Sequence, residues 1–264
     1  MNYNNIGLLT TVANFDLYQK TAPFFPENIP KFVIDGTNGM HGIHSILYMM
    51  RKLKDKNIEW LVMADEDVLF TDNKMVLSII EKMKNEHYTI CGVRDGGQIA
   101  HRNFNPYCIN TFFSIVNFKE IEQIWNTNEA LSNQYVQFDE FDDDLNHLKG
   151  NYDKQSLYEP YYCFYLWLKR KNKKTLFLNT EMQEDGITNT VFFNDNVFLY
   201  HTWQARNYGK IQKHTKRIDA VLQNVGANIK SYQTPIVYKD NTFAFKQKIK
   251  KYIRKIAIKL RWEN

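Results

Sequence analysis

"WLVMADEDVLF", residues 60–70, sets an unbroken apolar run, Trp60 to Ala64, directly against three carboxylates, Asp65, Glu66 and Asp67, and then resumes with Val68-Leu69-Phe70. An apolar run of this length reads as a strand buried on both faces, the pattern of a parallel sheet covered by helices. Three like charges at its end repel one another unless something compensates them. Two readings are open: a capping or solvated acidic turn, or a place where a cation belongs. In extended chain Asp65 and Asp67 point to one side and Glu66 to the other. Oxygen-only donors select a hard divalent ion, Mg2+ or Mn2+, which keeps water sites and binds substrate phosphates. In an open α/β sheet, ligands bind at the carboxyl ends of strands, where this triplet stands.

On either side the chain alternates strand and helix patterns. Strands are expected at 6–13, 31–37, 59–64 and 88–93, with amphipathic helices at 41–57 and 73–86. This alternation predicts an α/β domain with a mostly parallel central sheet flanked by helices. Beyond residue 100 the pattern loosens. A strand at 110–118, a short helix at 119–126, a helix at 159–174 with Pro160 in its first turn, strands at 175–179 and 197–203, and a helix at 209–225 are expected. The acidic run Asp139 to Asp144 reads as a solvated loop, and 226–242 as irregular.

With 264 residues and 44% apolar content, the chain can bury a large core in one domain plus an appendage. Its three cysteines are scattered without zinc or CxxC spacing, which fits a reducing compartment. The start "MNYNNIGLL" lacks the pattern of a signal peptide, and no apolar run is long enough for a membrane span. The net charge of +5 is uneven, since eight of the 34 Lys and Arg residues fall within 246–261. The tail therefore asks for its own explanation.

A DxD triplet at a strand end, following two earlier strands of an α/β region, resembles glycosyltransferases of the GT-A fold. The resemblance covers roughly residues 5–205 and is architectural. It implies a Rossmann-like catalytic domain over 1–242, with a nucleotide-sugar half of about 1–100 and an acceptor half of about 101–242. It further implies that Asp65 and Asp67 hold the divalent ion against the diphosphate of a nucleotide sugar, UDP-linked in the present reading. "TTVA" (10–13) stands where the first strand end touches the nucleotide, which implicates Thr11, Val12 and Ala13. Asp35 stands at the second strand end, where an acidic residue contacts base or ribose. The segment 159–179 is similar to the acidic helix start and following strand of inverting members, with Glu159-Pro160 in place of the usual acidic pair. "LYHTW" (199–203) resembles the late strand whose His, here His201, is a further metal ligand. The first strand departs from the family in lacking a P-x-Y-N ending.

An inverting transferase needs a carboxylate to take the acceptor's proton. Glu159 is the candidate base and Asp185, in "QEDGIT", its rival, though helix capping and an Asp-Gly turn are the plainer roles of each. A lone His such as His201 is more often structural than a ligand, but imidazole can complete an oxygen-rich site. Arg206 suits a phosphate, or simply covers surface. "NGMHGIH" (38–44) opens a helix that could hold phosphate, with a plain strand-to-helix turn as the simpler reading. "VRDGGQ" (93–98) is either a Gly-rich turn or a source of substrate contacts through Arg94 and Asp95.

In residues 243–264, Phe245, Ile249, Tyr252, Ile253, Ile256 and Leu260 recur at helical spacing, with cations over most of the remaining surface and Ile258 off the face. Such a helix suits an anionic membrane surface with Trp262 at the interface; a helix packed on the body with solvated lysines is the alternative. Nucleic acid is not expected, because aromatics are not interleaved with the cations. The expectation is a metal-dependent hexosyltransferase, cytoplasmic and peripheral at the inner membrane face, acting on a glycan or lipid-linked saccharide acceptor in surface polysaccharide or lipopolysaccharide synthesis. A sugar nucleotidyltransferase, or a non-catalytic membrane-surface protein with a degenerate site, are the alternatives.

Overall fold

The computed structural model describes residues 5–226 and 233–262, the last five as backbone only. The elements that build the central sheet are β1 (Ile6–Val12), β2 (Lys31–Asp35), β3 (Trp60–Ala64), β5 (Ile90–Arg94), β6 (Ile109–Asn117), β7 (Thr175–Phe177) and β11 (Ile236–Tyr238). Their order is β11-β2-β1-β3-β6-β5-β7. All neighbours run parallel except where β6 is inserted, antiparallel to both β3 and β5. The sheet is thus mostly parallel, with one reversed strand that sequence alternation did not distinguish.

Side-chain alternation on β3 shows why the opening run is apolar throughout. Trp60, Val62 and Ala64 enter one core cluster, while Leu61 enters the other and Met63 packs against it. The first cluster is closed by α3 (Lys74–Asn85) through Val76, Ile79, Ile80 and Met83. The second is closed by α2 (Ile43–Leu53), α4 (Phe118–Ile124) and α6 (Tyr162–Arg170), the last buried over all of Tyr162–Leu168. Strands β1, β2, β3, β5 and β6 therefore remove apolar surface from water on both faces, at about 25 cal/mol per Å².

A second, antiparallel sheet lies beside the first, in the order β4-β10-β9-β8: β4 (Val68–Phe70), β8 (Asn179–Met182), β9 (Asn189–Phe193) and β10 (Asn196–His201). Only three residues, Asp65 to Asp67, separate β3 in the first sheet from β4 in the second. The carboxylate triplet is the crossing between sheets. Asp65 N–H donates to Phe112 O at 2.8 Å and Val68 N–H to Asp65 O at 3.2 Å, which closes a tight turn. The extended conformation expected for the triplet is therefore incorrect; the chain must reverse to enter the other sheet.

Further differences have local causes. Helix α6 begins at Tyr162, two residues after Pro160, because Tyr162 N–H closes a turn on Glu159 O at 3.1 Å. The short α1 (Phe15–Thr21) and α5 (Thr127–Leu131) were not expected; Asn14 and Asn126 cap them by accepting from Leu17 N–H and Glu129 N–H. Residues 236–238, expected to be irregular, form β11, since Val237 and Tyr238 register with Val33 and Ile34 and the Tyr238 ring stacks on Phe32. The acidic loop is not simply solvated. Glu140 receives a two-point bond from Arg170, and Asp143 pairs with Lys169, so the loop is strapped to α6.

The remaining helices are α7 (Gln212–Val225) and α8 (Phe243–Trp262). No described helix is long and apolar enough to cross a membrane. Among the described side chains of α8 the root is the buried part: Phe243 is buried and meets the His44 ring edge-on at 5.2 Å. Phe245, Ile249, Tyr252, Ile253 and Ile256 are exposed. The side chains of Ile258, Lys259, Leu260, Arg261 and Trp262 lie outside the described residues, as do 263 and 264.

Candidate active site

A cavity of about 700 Å³ opens at the carboxyl ends of β1 and β3. It is lined by Thr11 and Ala13, by the start of α2, by the Asp65–Asp67 turn, by Arg102 and Glu159, and by His201 and Trp203 to Asn207. Sequence positions 133 residues apart meet here because β4 and β10 pair, with His201 opposite Val68.

The triplet divides by function of its side chains. Glu66 turns toward β1, where its carboxylate accepts from Ala13 N–H at 2.8 Å and Asn14 N–H at 3.1 Å. It thereby satisfies the amides just past the strand. Burial and the Asp67 charge push its carboxyl up to about 7 even against those two bonds. Asp67 is buried; its backbone carbonyl accepts from Thr202 N–H, and its Oδ1 lies 3.2 Å from His201 Nε2. Among the described residues Asp65 bears no such partner. Burial, then the Asp67 and Glu66 charges, push its carboxyl well above its usual range, opposed by Arg206. The negative charge at this turn is under-compensated.

The His201 ring is fixed by packing. It stacks on Phe112 at 4.1 Å with 13° between planes, and Trp203 lies 4.2 Å away on centroids. Among the described residues the buried Nδ1 has no hydrogen-bond partner, while Nε2 lies on the Asp67 side of the ring. Trp203 and Gln204 follow with φ of 58° and 68°, both left-handed and neither glycine. Such residues cost on the order of 1–3 kcal/mol each and persist only when their surroundings over-determine them. Here Trp203 Nε1–H donates to Asn189 at 2.7 Å, and Arg217 donates to Trp203 O at 3.1 Å.

These donors fit a hard divalent ion, as the uncompensated Asp65 carboxyl and the orphaned Nδ1 indicate. Two carboxylates with water and a ligand's phosphate oxygens are the usual complement for Mg2+ or Mn2+. Among the described residues no group of three or more His, Cys, Asp or Glu side chains stands ready as a metal cage. The expected trio Asp65, Asp67 and His201 is therefore not pre-assembled as a cage.

The other expected residues separate cleanly. Thr11 lines the cavity, its hydroxyl bonded to Ser45, and Ala13 and Arg206 line it too. Val12 does not: its side chain is in the core and its carbonyl accepts from Gly36. Asp35 is also outside the lining; Thr37 and Lys239 occupy both its oxygens, the latter at 2.9 Å. Asp185 lines a different depression of about 580 Å³, where its carboxylate takes the Ile187 and Thr188 amides and faces Arg217 at 3.5 Å. It is the Asp-Gly turn that its sequence also allowed. Glu159 lines the main cavity, but from a turn ahead of α6 rather than its first turn, and Arg102 donates to its Oε1 at 2.9 Å.

Several wall residues were not picked out by sequence. His41 and Gly42 fall in the segment 38–44, for which a plain strand-to-helix turn was the simpler reading beside a phosphate site, and Ser45, in the helix that follows, was not singled out. Arg102 carried no local signal, because its partner Asp95 is seven residues away and Glu159 fifty-seven. Arg94, singled out with Asp95, instead lies buried over the Phe177 ring at 3.5 Å.

The sequence matches no protein-family model and no curated protein. Solved structures with partial likeness include a glycosyltransferase involved in the glycosylation of the major capsid of PBCV-1 (17% identity, 45% of this chain and 63% of that one, TM-score 0.32). Another is the mannosyltransferase PcManGT from Pyrobaculum calidifontis in complex with GDP-Man and Mn2+ (7% identity, 46% of each chain, TM-score 0.33). A third is a cytidylyltransferase from Leptospira borgpetersenii serovar Hardjo-bovis (10% identity, 87% of this chain and 99% of that one, TM-score 0.38). The match spans less than two thirds of either transferase. At these scores the likenesses are of partial architecture and assign no activity.

Proposed function

We propose that the protein is a metal-dependent glycosyltransferase that takes its sugar from a nucleotide-diphosphate donor, a UDP-sugar by preference. The observation that carries this is the three-residue crossing between two sheets, which sets Asp65 and Asp67, beside His201, into the wall of a cavity of about 700 Å³ that also holds Glu159. Asp65 and Asp67 would hold Mn2+ or Mg2+, with His201 orienting Asp67. When bound, the ion supplies Lewis-acid relief of the charge that develops on a departing nucleotide diphosphate.

The chain's own residues do the rest. Arg206 lines the same cavity, where its charge opposes the upward push on the Asp65 carboxyl, and it suits a phosphate oxygen. Thr11 and Ala13 give a close wall for the nucleoside end. Glu159 is assigned as the base that takes the acceptor hydroxyl's proton as it attacks the anomeric carbon, which makes the reaction inverting. The acceptor is a glycan or lipid-linked saccharide. The exposed apolar face of α8, flanked by lysines, supports contact with an anionic membrane surface where such an acceptor would lie. The nucleotidyltransferase alternative is disfavoured because the amides that follow β1, at Ala13 and Asn14, are already taken by Glu66.

The test is a thermal-shift screen of UDP-glucose, UDP-galactose, UDP-N-acetylglucosamine and GDP-mannose, each with and without Mn2+. Stabilisation that needs both components and vanishes in Asp67→Ala is expected. No response to any pair would remove the reading.

A further inference from the structure

The "VRDGGQ" corner, which supplies nothing to the cavity lining, has a different task. Asp95 is fully buried and its two oxygens collect five bonds. Arg102 gives two, from its Nε at 2.7 Å and an amino group at 2.6 Å. Asn110 gives one at 2.6 Å, Tyr161 one at 3.1 Å and Tyr162 one at 2.5 Å. The backbone allows this because residue 96 is glycine: a Cβ there would sit 2.1 Å from Phe104 O. Phe104 N–H in turn donates to Asp95 O, and the Phe104 ring lies under the Arg102 guanidinium at 4.5 Å. Tyr158 stacks on that same ring, 4.1 Å away and nearly parallel.

Arg102 is thus held at its fork by Asp95 and on its face by Phe104. One of its amino groups still reaches Glu159 Oε1 at 2.9 Å. Among the described residues Arg102 is the only cation paired with Glu159. Glu159 itself stands on a turn, where its backbone carbonyl is held by Gln134 at 3.1 Å but its side chain has no other anchor shown. A carboxylate on a turn has several rotamers open to it, and a charge-assisted bond from a rigid fork selects one.

We propose that Arg102 is a positioning residue for the reaction assigned to this cavity: pinned by the buried Asp95, it clamps one oxygen of Glu159 and leaves the other directed to the acceptor. This rests on the reading of Glu159 as the base. A lysine at 102 keeps the charge but cannot span two carboxylates in a fixed plane.

The experiment has two arms on the full chain. In the first, carboxyl labelling with a carbodiimide and glycine methyl ester is mapped by mass spectrometry. Labelling of Glu159 is expected to rise severalfold in Arg102→Lys, with the melting temperature near that of the wild type; unchanged Glu159 labelling overturns the clamp. In the second, slow hydrolysis of the four nucleotide sugars named above is followed with Mn2+. Arg102→Lys is expected to lower kcat about tenfold with donor KM within about twofold, and Arg102→Lys with Glu159→Gln to be no slower than Glu159→Gln alone. Multiplying effects overturn the clamp while leaving the base in place. Glu159→Gln with wild-type turnover, or no turnover of any donor by the wild type, sinks the base assignment instead, and the labelling arm then still decides whether Arg102 holds Glu159.

Discussion

Asp67 Oδ1 lies 3.2 Å from His201 Nε2, across a strand pairing that joins residue 68 to residue 201. The imidazole therefore sets the orientation of the carboxylate, and Phe112 sets the orientation of the imidazole. An outer partner of this kind is worth roughly 10- to 100-fold in metal affinity. His201→Asn should weaken Mn2+ binding by that factor, measured by calorimetry in the presence of UDP. At ligand hundredfold above Kd the wild type should gain about 2.7 kcal/mol, or roughly 5–10 °C for a chain of this size, and the variant correspondingly less at the same concentration. Equal Mn2+ affinity in the variant would separate His201 from the site.

Removing Arg102 outright is a different experiment from replacing it by Lys. Arg102→Ala leaves the Asp95 charge buried with only neutral donors, which costs about 3–5 kcal/mol. Gly96→Ala attacks the same corner through its backbone, where the new methyl must displace Phe104 O. Overpacking of this kind costs roughly 1–3 kcal/mol or more. Urea denaturation checks both; a midpoint unchanged in either variant would contradict the described corner.

His41 supplies a pH dependence outside the acidic turn. Burial, and then the nearby Arg206 charge, lower its pKa from 6.5 to about 4. Between those values the unfolded chain binds a proton that the folded chain refuses, so stability is full above pH 6.5 and is lost as pH falls toward 4. His41→Asn should flatten the melting temperature over that window relative to the wild type. The Asp95 and Glu66 regions are unchanged by this substitution, so an unaltered slope would count against His41.

Helix α8 predicts a separation of folding from surface binding. Ile249, Tyr252, Ile253 and Ile256 are exposed, whereas β11 just before the helix belongs to the sheet. Deleting 247–264 should abolish flotation with vesicles containing phosphatidylserine and leave the melting temperature within a few degrees. Deleting from 236 onward should destabilise the fold, since it removes a sheet edge and the Lys239–Asp35 pair. Bound fraction should fall with salt, as each Lys or Arg near the surface contributes about 1 kcal/mol. Retention of vesicle binding by the shorter chain would remove α8 as the contact.

Much of this was legible in the sequence for one physical reason: local rules depend on neighbours. The double-sided apolar run of β3 and the amphipathic spacing of α3 are short-range patterns, and they appear as elements at nearly the expected bounds. Strand direction is not such a pattern. The reversed β6 and the edge strand β11 follow from which partners are free when the sheet assembles, and no window of sequence contains both partners.

The site divides along the same line. That residues 65–67 would end a buried strand in a cluster of charge was decided by the sequence itself, because apolar residues must leave water and charges cannot follow them unpaired. Tertiary structure alone decided what each charge does: Glu66 is taken by the amides beyond β1, Asp67 by a histidine 134 positions later, and Asp65 by neither. It also withdrew Asp35 to Lys239 and Asp185 to a separate depression, and brought in Arg102 through Asp95. Pairing between charges acts over a few ångströms in space, and that distance exists only once the chain has folded.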